Sequence, residues 1–106
     1  MDEVPILDRA RLELITRGDA ALASEFLAAL FEEVGALLER LGALLAGDDR
    51  VAVADVAHTI KGNATELGAM QLRAAAAALE TEPQPERWPQ CVERVRTALA
   101  ELRSYV

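Results

Sequence analysis

The chain has 106 residues, 52% of them apolar and 27% charged, the proportions of one ordinary folded domain and not of a disordered chain. Eighteen acidic against eleven basic residues give a net charge of −7, which argues against nucleic acid and against an anionic membrane as partners. One Cys and one His exclude an internal disulfide and leave too few ligands for a zinc site of the usual kind, so no protein-built metal centre is expected.

Of the 106 residues, 21 are Ala and 16 are Leu, while the aromatics are only Phe26, Phe31, Trp88 and Tyr105; this is the composition of helices. Turn signals at Gly18-Asp19, Gly47-Asp48-Asp49, Gly68 and Glu82-Pro83-Gln84-Pro85 cut the chain into five segments. None of the connections is long enough to separate two domains, so residues 1–106 are expected to form a single domain.

The first segment starts at Asp8 as N-cap, with Leu7 and Leu12 placed as a hydrophobic staple, and stops at Gly18: a short helix. The second starts at Asp19 and carries Ala23, Leu27, Leu30, Val34, Leu37, Leu41 and Leu44 at alternating spacings of four and three, flanked by Phe31, Leu38 and Leu45. That stripe predicts a helix about 40 Å long at about 1.5 Å per residue. The third, from about Asp49 to Leu67, repeats the spacing with Val53, Ala57, Ile60, Ala64 and Leu67, and the fourth, Ala69 to Glu82, with Leu72, Ala76 and Leu79. The fifth begins near Pro85 to Pro89, where proline suits a first helical turn, and presents Trp88, Val92, Val95, Leu99, Leu102 and Val106. Four amphipathic helices joined by short turns bury their stripes against one another. The expected fold is all-α: an antiparallel up-down-up-down four-helix bundle with a short additional N-terminal helix.

The longest stretch without a charged residue is Leu41 to Gly47, far short of the roughly twenty residues that span a bilayer. Met1-Asp2-Glu3 has no basic region before an apolar stretch, so a cytoplasmic protein is expected. No Gly-rich nucleotide loop is present; chemistry on this chain must involve His58 or carboxylates alone.

At about 100° per residue, the stripe of the third helix lies within about 60° of Ile60, whereas His58 falls about 160° away and faces solvent. One turn to either side on that face stand Ala54 and Gly62, so the ring occupies a clearing. Glycine in a helix interior costs about 1 kcal/mol relative to alanine, in a chain that uses alanine freely; access to His58 explains it, and close helix packing is the competing reading. Lys61 brings a cation one turn away, with Asp55 and Glu66 as ordinary pairing partners on the solvated face. Because the third and fourth helices form a hairpin about Gly68, His58, ten residues before it, lies near Glu80, twelve after. A Glu80 carboxylate there accepts from one ring nitrogen and leaves the other nucleophilic.

The segment Ala57-His58-Thr59-Ile60-Lys61-Gly62-Asn63-Ala64-Thr65-Glu66-Leu67-Gly68 resembles the signature of histidine-containing phosphotransfer (HPt) domains: His, any residue, an apolar residue, Lys, Gly, then five residues to a second Gly. Leu79-Glu80 resembles a pair often found on the family's next helix, and the helix order matches over essentially the whole chain.

The resemblance implies that His58 takes a phosphoryl group from the aspartyl phosphate of a response-regulator receiver domain and passes it to another receiver. Lys61 would neutralise phosphoryl oxygens, Gly62 would admit the partner, and Glu80 would hold the imidazole, at a position where Gln is common. Asn63 stands where the family often has Ser. Docking would use Ala54, Asp55, Gly62 and Thr65 around His58, with Leu22 and Phe26 of the second helix; burial beneath the first helix is the other reading of that pair. A hybrid histidine kinase is a further partner the resemblance allows, a monomer is expected, and no cofactor is implied beyond Mg²⁺ carried by the receiver. Two alternatives stand beside the phosphocarrier without kinase activity of its own: a phosphate-independent helical adaptor, and the phosphotransfer domain of a chemotaxis-type histidine kinase.

Overall fold

Three aspartates start three of the helices. In the computed structural model, which describes residues 4–106, the carboxylates of Asp8, Asp19 and Asp49 accept from the backbone N–H of Arg11, Leu22 and Ala52 at 3.0–3.1 Å. Each satisfies one of the amides that a helix start leaves without an intrahelical partner. The helices that follow are α1 (Arg9–Thr16), α2 (Ala20–Leu44), α3 (Arg50–Leu67), α4 (Met70–Glu80) and α5 (Trp88–Tyr105), with a single 3₁₀ turn at Pro85–Arg87 before α5. No strand occurs among the described residues, and no helix there is long and apolar enough to cross a membrane. Met1, Asp2 and Glu3, used above for their charge pattern, lie outside the described residues.

Helix α2 packs on α3 and α5, α3 on α4, and α4 on α5, closing a ring of four, while α1 lies across α2 and α3. This is the expected bundle with its short N-terminal helix. One core runs through it: Leu27, Leu30, Val34, Leu38 and Leu41 of α2 meet Val53, Val56, Ala57, Ile60, Ala64 and Leu67 of α3, Leu72, Ala75, Ala76 and Leu79 of α4, and Trp88, Val92, Val95, Leu99 and Leu102 of α5. The small residues of α4 let α3 and α5 approach it closely, as expected from the alanine run.

Two expectations about helix ends need correction. Helix α1 stops at Thr16, not at Gly18: Arg17 takes a left-handed conformation at φ 53°, Gly18 follows at φ 74°, and the Gly18 amide bonds back to the Glu13 carbonyl at 3.1 Å. A Schellman-type ending thus begins on a residue that carries a side chain. Val106 is 53% exposed and extends the stripe of α5 beyond the core. It stands at the rim of an open groove shared with α1 and α2, where Tyr105 beside it takes the Arg9 guanidinium over its ring at 4.8 Å.

Candidate functional site

Helix α3 ends at Gly68, the C-cap, at φ 80°. Its amide and that of Ala69 bond to the carbonyls of Thr65 and Ala64. The chain then reverses into α4. The reversal sets the register of the α3–α4 hairpin, and it brings Glu80, the last residue of α4, beside His58. The imidazole Nδ1 and the Glu80 Oε2 are 2.8 Å apart. The second carboxylate oxygen, Oε1, takes the Lys61 ammonium at 2.7 Å.

Exposure orders the three side chains: His58 is 68% exposed, Lys61 30% and Glu80 22%. The carboxylate is the inner member, held between two donors on α3. The Lys61 hydrogen bond, followed by that of His58, pulls the Glu80 carboxyl below its ordinary value of 4.5, against the desolvation that works to raise it. Ionised, that carboxylate only accepts, so the ring proton resides on Nδ1 and donates to Glu80. The lone pair of Nε2 is then free and points away from the carboxylate, on a ring mostly open to water.

Around Gly62 the surface is open. A Cβ built there would meet nothing within 4 Å, which removes close helix packing as the reason for this glycine. Ala54, on the other side of the ring, is half-buried and Asp55 is exposed. Thr65 is committed: its hydroxyl donates to the Lys61 carbonyl at 2.7 Å and accepts from Arg73 Nε at 3.0 Å. The ordinary pairing of Lys61 with Asp55 or Glu66 is not what the chain does; among the described residues its ion pair is with Glu80.

Between α2 and α3, Phe26, Ala29, Leu30 and Glu33 form an open groove with Asn63, Glu66 and Leu67. Phe26 packs against the edge of the core while lining that groove, and Leu22, one turn earlier, is half-buried. Glu33 was not singled out from the sequence, and Glu66 was named there only as a pairing partner for Lys61, because a glutamate among eighteen acidic residues carries no signal for a groove until the register of α2 against α3 is known. Asn63 brings a second surprise: its Nδ2 is buried without a hydrogen-bond partner. An asparagine between Gly62 and the core residue Ala64 was the available hint.

Such an arrangement can do one kind of chemistry well. An exposed imidazole with its Nδ1 proton held by a carboxylate presents a single oriented nucleophilic nitrogen, beside a cation and an unobstructed approach.

Comparison with known proteins agrees. The family model described as the Hpt domain matches residues 25–105. A comparison with curated protein sequences finds no match. Among solved structures, the crystal structure of histidine-containing phosphotransfer protein B (HptB) from Pseudomonas aeruginosa PAO1 is similar at a TM-score of 0.85 and 25% identity, over 95% of this chain and 90% of that one. With a family model that matches residues 25–105, a shared fold over 95% of the chain and a histidine standing open on the third helix, the chain belongs to the Hpt family, the histidine phosphotransfer domains of two-component systems.

Proposed function

We propose that the chain is a phosphocarrier that takes a phosphoryl group onto Nε2 of His58 from the aspartyl phosphate of a receiver domain and yields it to a second receiver. The observation that carries this reading is the Nδ1 contact to Glu80 at 2.8 Å on a ring that is 68% exposed, which leaves Nε2 as the one nitrogen a partner can reach. In the transfer step the P–O bond of the acyl phosphate breaks, its electron pair leaves on the receiver's aspartate, and a P–N bond forms at Nε2. No proton needs to move, because Nδ1 keeps its own on Glu80. Positioning and charge neutralisation are the main requirements of such a step.

The receiver docks over Gly62 and toward the groove at Phe26, with Ala54 and Asp55 on the far side of the ring. Thr65 supports this face from within, through its bonds to Lys61 and Arg73, more than it touches the partner. The divalent cation of the reaction belongs to the receiver; this chain works as a monomer in the cytoplasm without a cofactor of its own.

The experiment is incubation with a panel of phosphorylated receivers, beside a control with ATP and Mg²⁺ alone. Acid-labile, base-stable label is expected from a cognate receiver and not from ATP. His58→Gln is expected to abolish it while changing stability by less than about 0.5 kcal/mol, as solvent-facing substitutions usually do. Label retained by the Gln variant sinks the assignment of His58. Labelling by ATP alone overturns the carrier reading, and receiver binding without labelling favours an adaptor.

A further inference from the structure

Both oxygens of Glu80 are occupied in the resting protein, one by the imidazole and one by Lys61, so the lysine charge is already spent on a carboxylate before any phosphoryl group arrives. Building on the carrier reading, we propose that Glu80 holds Lys61 in reserve and hands it to the phosphoryl group as that group moves onto His58.

The charges show why the exchange runs in this direction. The ring must be neutral to offer the Nε2 lone pair, and beside that ring Glu80 is balanced by Lys61 alone. After transfer Nε2 carries the phosphoryl group while Nδ1 keeps its proton, which makes the ring formally cationic. Glu80 then has a full positive charge at 2.8 Å from the ring itself and no longer needs the ammonium. The phosphoryl oxygens, carrying close to two negative charges, do need it. Two matched pairs replace one: carboxylate with phosphoimidazolium, and ammonium with phosphoryl.

The geometry permits the swing. Lys61 is one turn from His58 on the same helix, its four-carbon stem is flexible, and Gly62 presents nothing within 4 Å of where a side chain would begin. Glu80 in this role is a positioning residue: it touches no phosphoryl atom, and it sets both which ring nitrogen reacts and when the lysine is available.

The test uses phosphoramidate, a small donor whose ammonia leaves as the P–N bond to His58 forms, so that no receiver is required. Lys61→Ala is expected to slow labelling about 10-fold or more in a Glu80→Gln background, where the lysine is free from the start. In the wild-type background the same change is expected to cost about 2- to 5-fold less, because the ion pair that must be broken disappears with the lysine. Independently, the ¹⁵N resonance of the Lys61 ammonium in the unaltered protein is expected to differ from that in Glu80→Gln at rest and to move on phosphorylation.

Equal costs of Lys61→Ala in the two backgrounds overturn the handover, and so does an ammonium resonance unmoved by phosphorylation. Failure of phosphoramidate to label the wild type at all is a different result, since it removes His58 as a phosphoryl acceptor and the carrier reading with it.

Discussion

Gly62 and Gly68 stand six residues apart in one motif, and the structure gives them opposite reasons. Gly68 closes α3 at φ 80°, where a Cβ would lie 2.9 Å from the Asp8 carbonyl oxygen and 3.1 Å from Arg11 Cβ. The Asp8 amide also donates to the Gly68 carbonyl at 2.7 Å, and Arg11 Nε donates to the Glu66 carbonyl at 3.1 Å. The glycine is therefore the point where α1 is fastened to the α3–α4 turn, and that turn sets the register bringing Glu80 to His58. Gly62 sits in regular helix, touches nothing, and weakens the helix it belongs to. A required glycine can thus mean a crowded backbone or an empty surface, and only the surroundings separate the two.

The largest expected effect breaks the crowded side of the comparison. Gly68→Ala must adopt a left-handed conformation and displace backbone at Asp8, at a cost of about 2–4 kcal/mol. For a domain of this size that lowers the melting temperature by about 10 °C or more. The folded fraction, with His58 untouched, is expected to keep accepting phosphoryl groups. A melting temperature within a degree or two of wild type, measured by circular dichroism, contradicts the fastening role.

Gly62→Leu tests the empty side and has the opposite sign. Leucine is a better helix former by somewhat less than 1 kcal/mol, and its Cβ meets no neighbour on this exposed face, so the melting temperature is expected to hold or rise. Transfer from a phosphorylated receiver is expected to slow about tenfold or more, because a docked partner loses its approach and a small misplacement of reacting atoms is costly. Labelling by phosphoramidate, which needs little room, is expected to change far less. Equal rates from the receiver in a folded Leu variant leave the clearing without a function.

The sequence carried more of the site than of the helix ends, for a physical reason. Period and register are arithmetic: about 100° per residue placed His58 outward, and similar counts from Gly68, ten residues back and twelve on, placed Glu80 near it, because a tight hairpin leaves little slack. The pairing of Lys61 was not legible, since Asp55 and Glu66 are neighbours in sequence and Glu80 becomes one only after the hairpin closes. Nor were the anchors Arg11 to Glu66 and Arg73 to Thr65, each made by a long side chain whose direction no periodicity records. The stop at Arg17 escaped because a left-handed arginine has no compositional signature, whereas the glycine after it does.

The smallest expected effect concerns how little the His58 face contributes to folding compared with the Gly68 turn. In the folded protein Lys61 and His58 hold the Glu80 carboxyl below 4.5, whereas in the unfolded chain it returns to about that value. Between the two values the unfolded state binds more protons, so stability rises with pH across that window. The contribution is fully present above about pH 4.5 and is lost as pH falls through the lower, folded value. Because all three side chains are partly exposed, the ion pair is expected to contribute no more than about 1 kcal/mol at neutral pH, and less at high salt. Denaturant melts of wild type and Glu80→Gln are therefore expected to differ by that small amount at pH 7 and to converge in acid, once the pH has fallen below the lowered, folded value. A difference that persists in acid assigns Glu80 a packing role in place of an electrostatic one. A difference at pH 7 as large as that of Gly68→Ala removes the contrast between a turn that secures the fold and a face kept open for transfer.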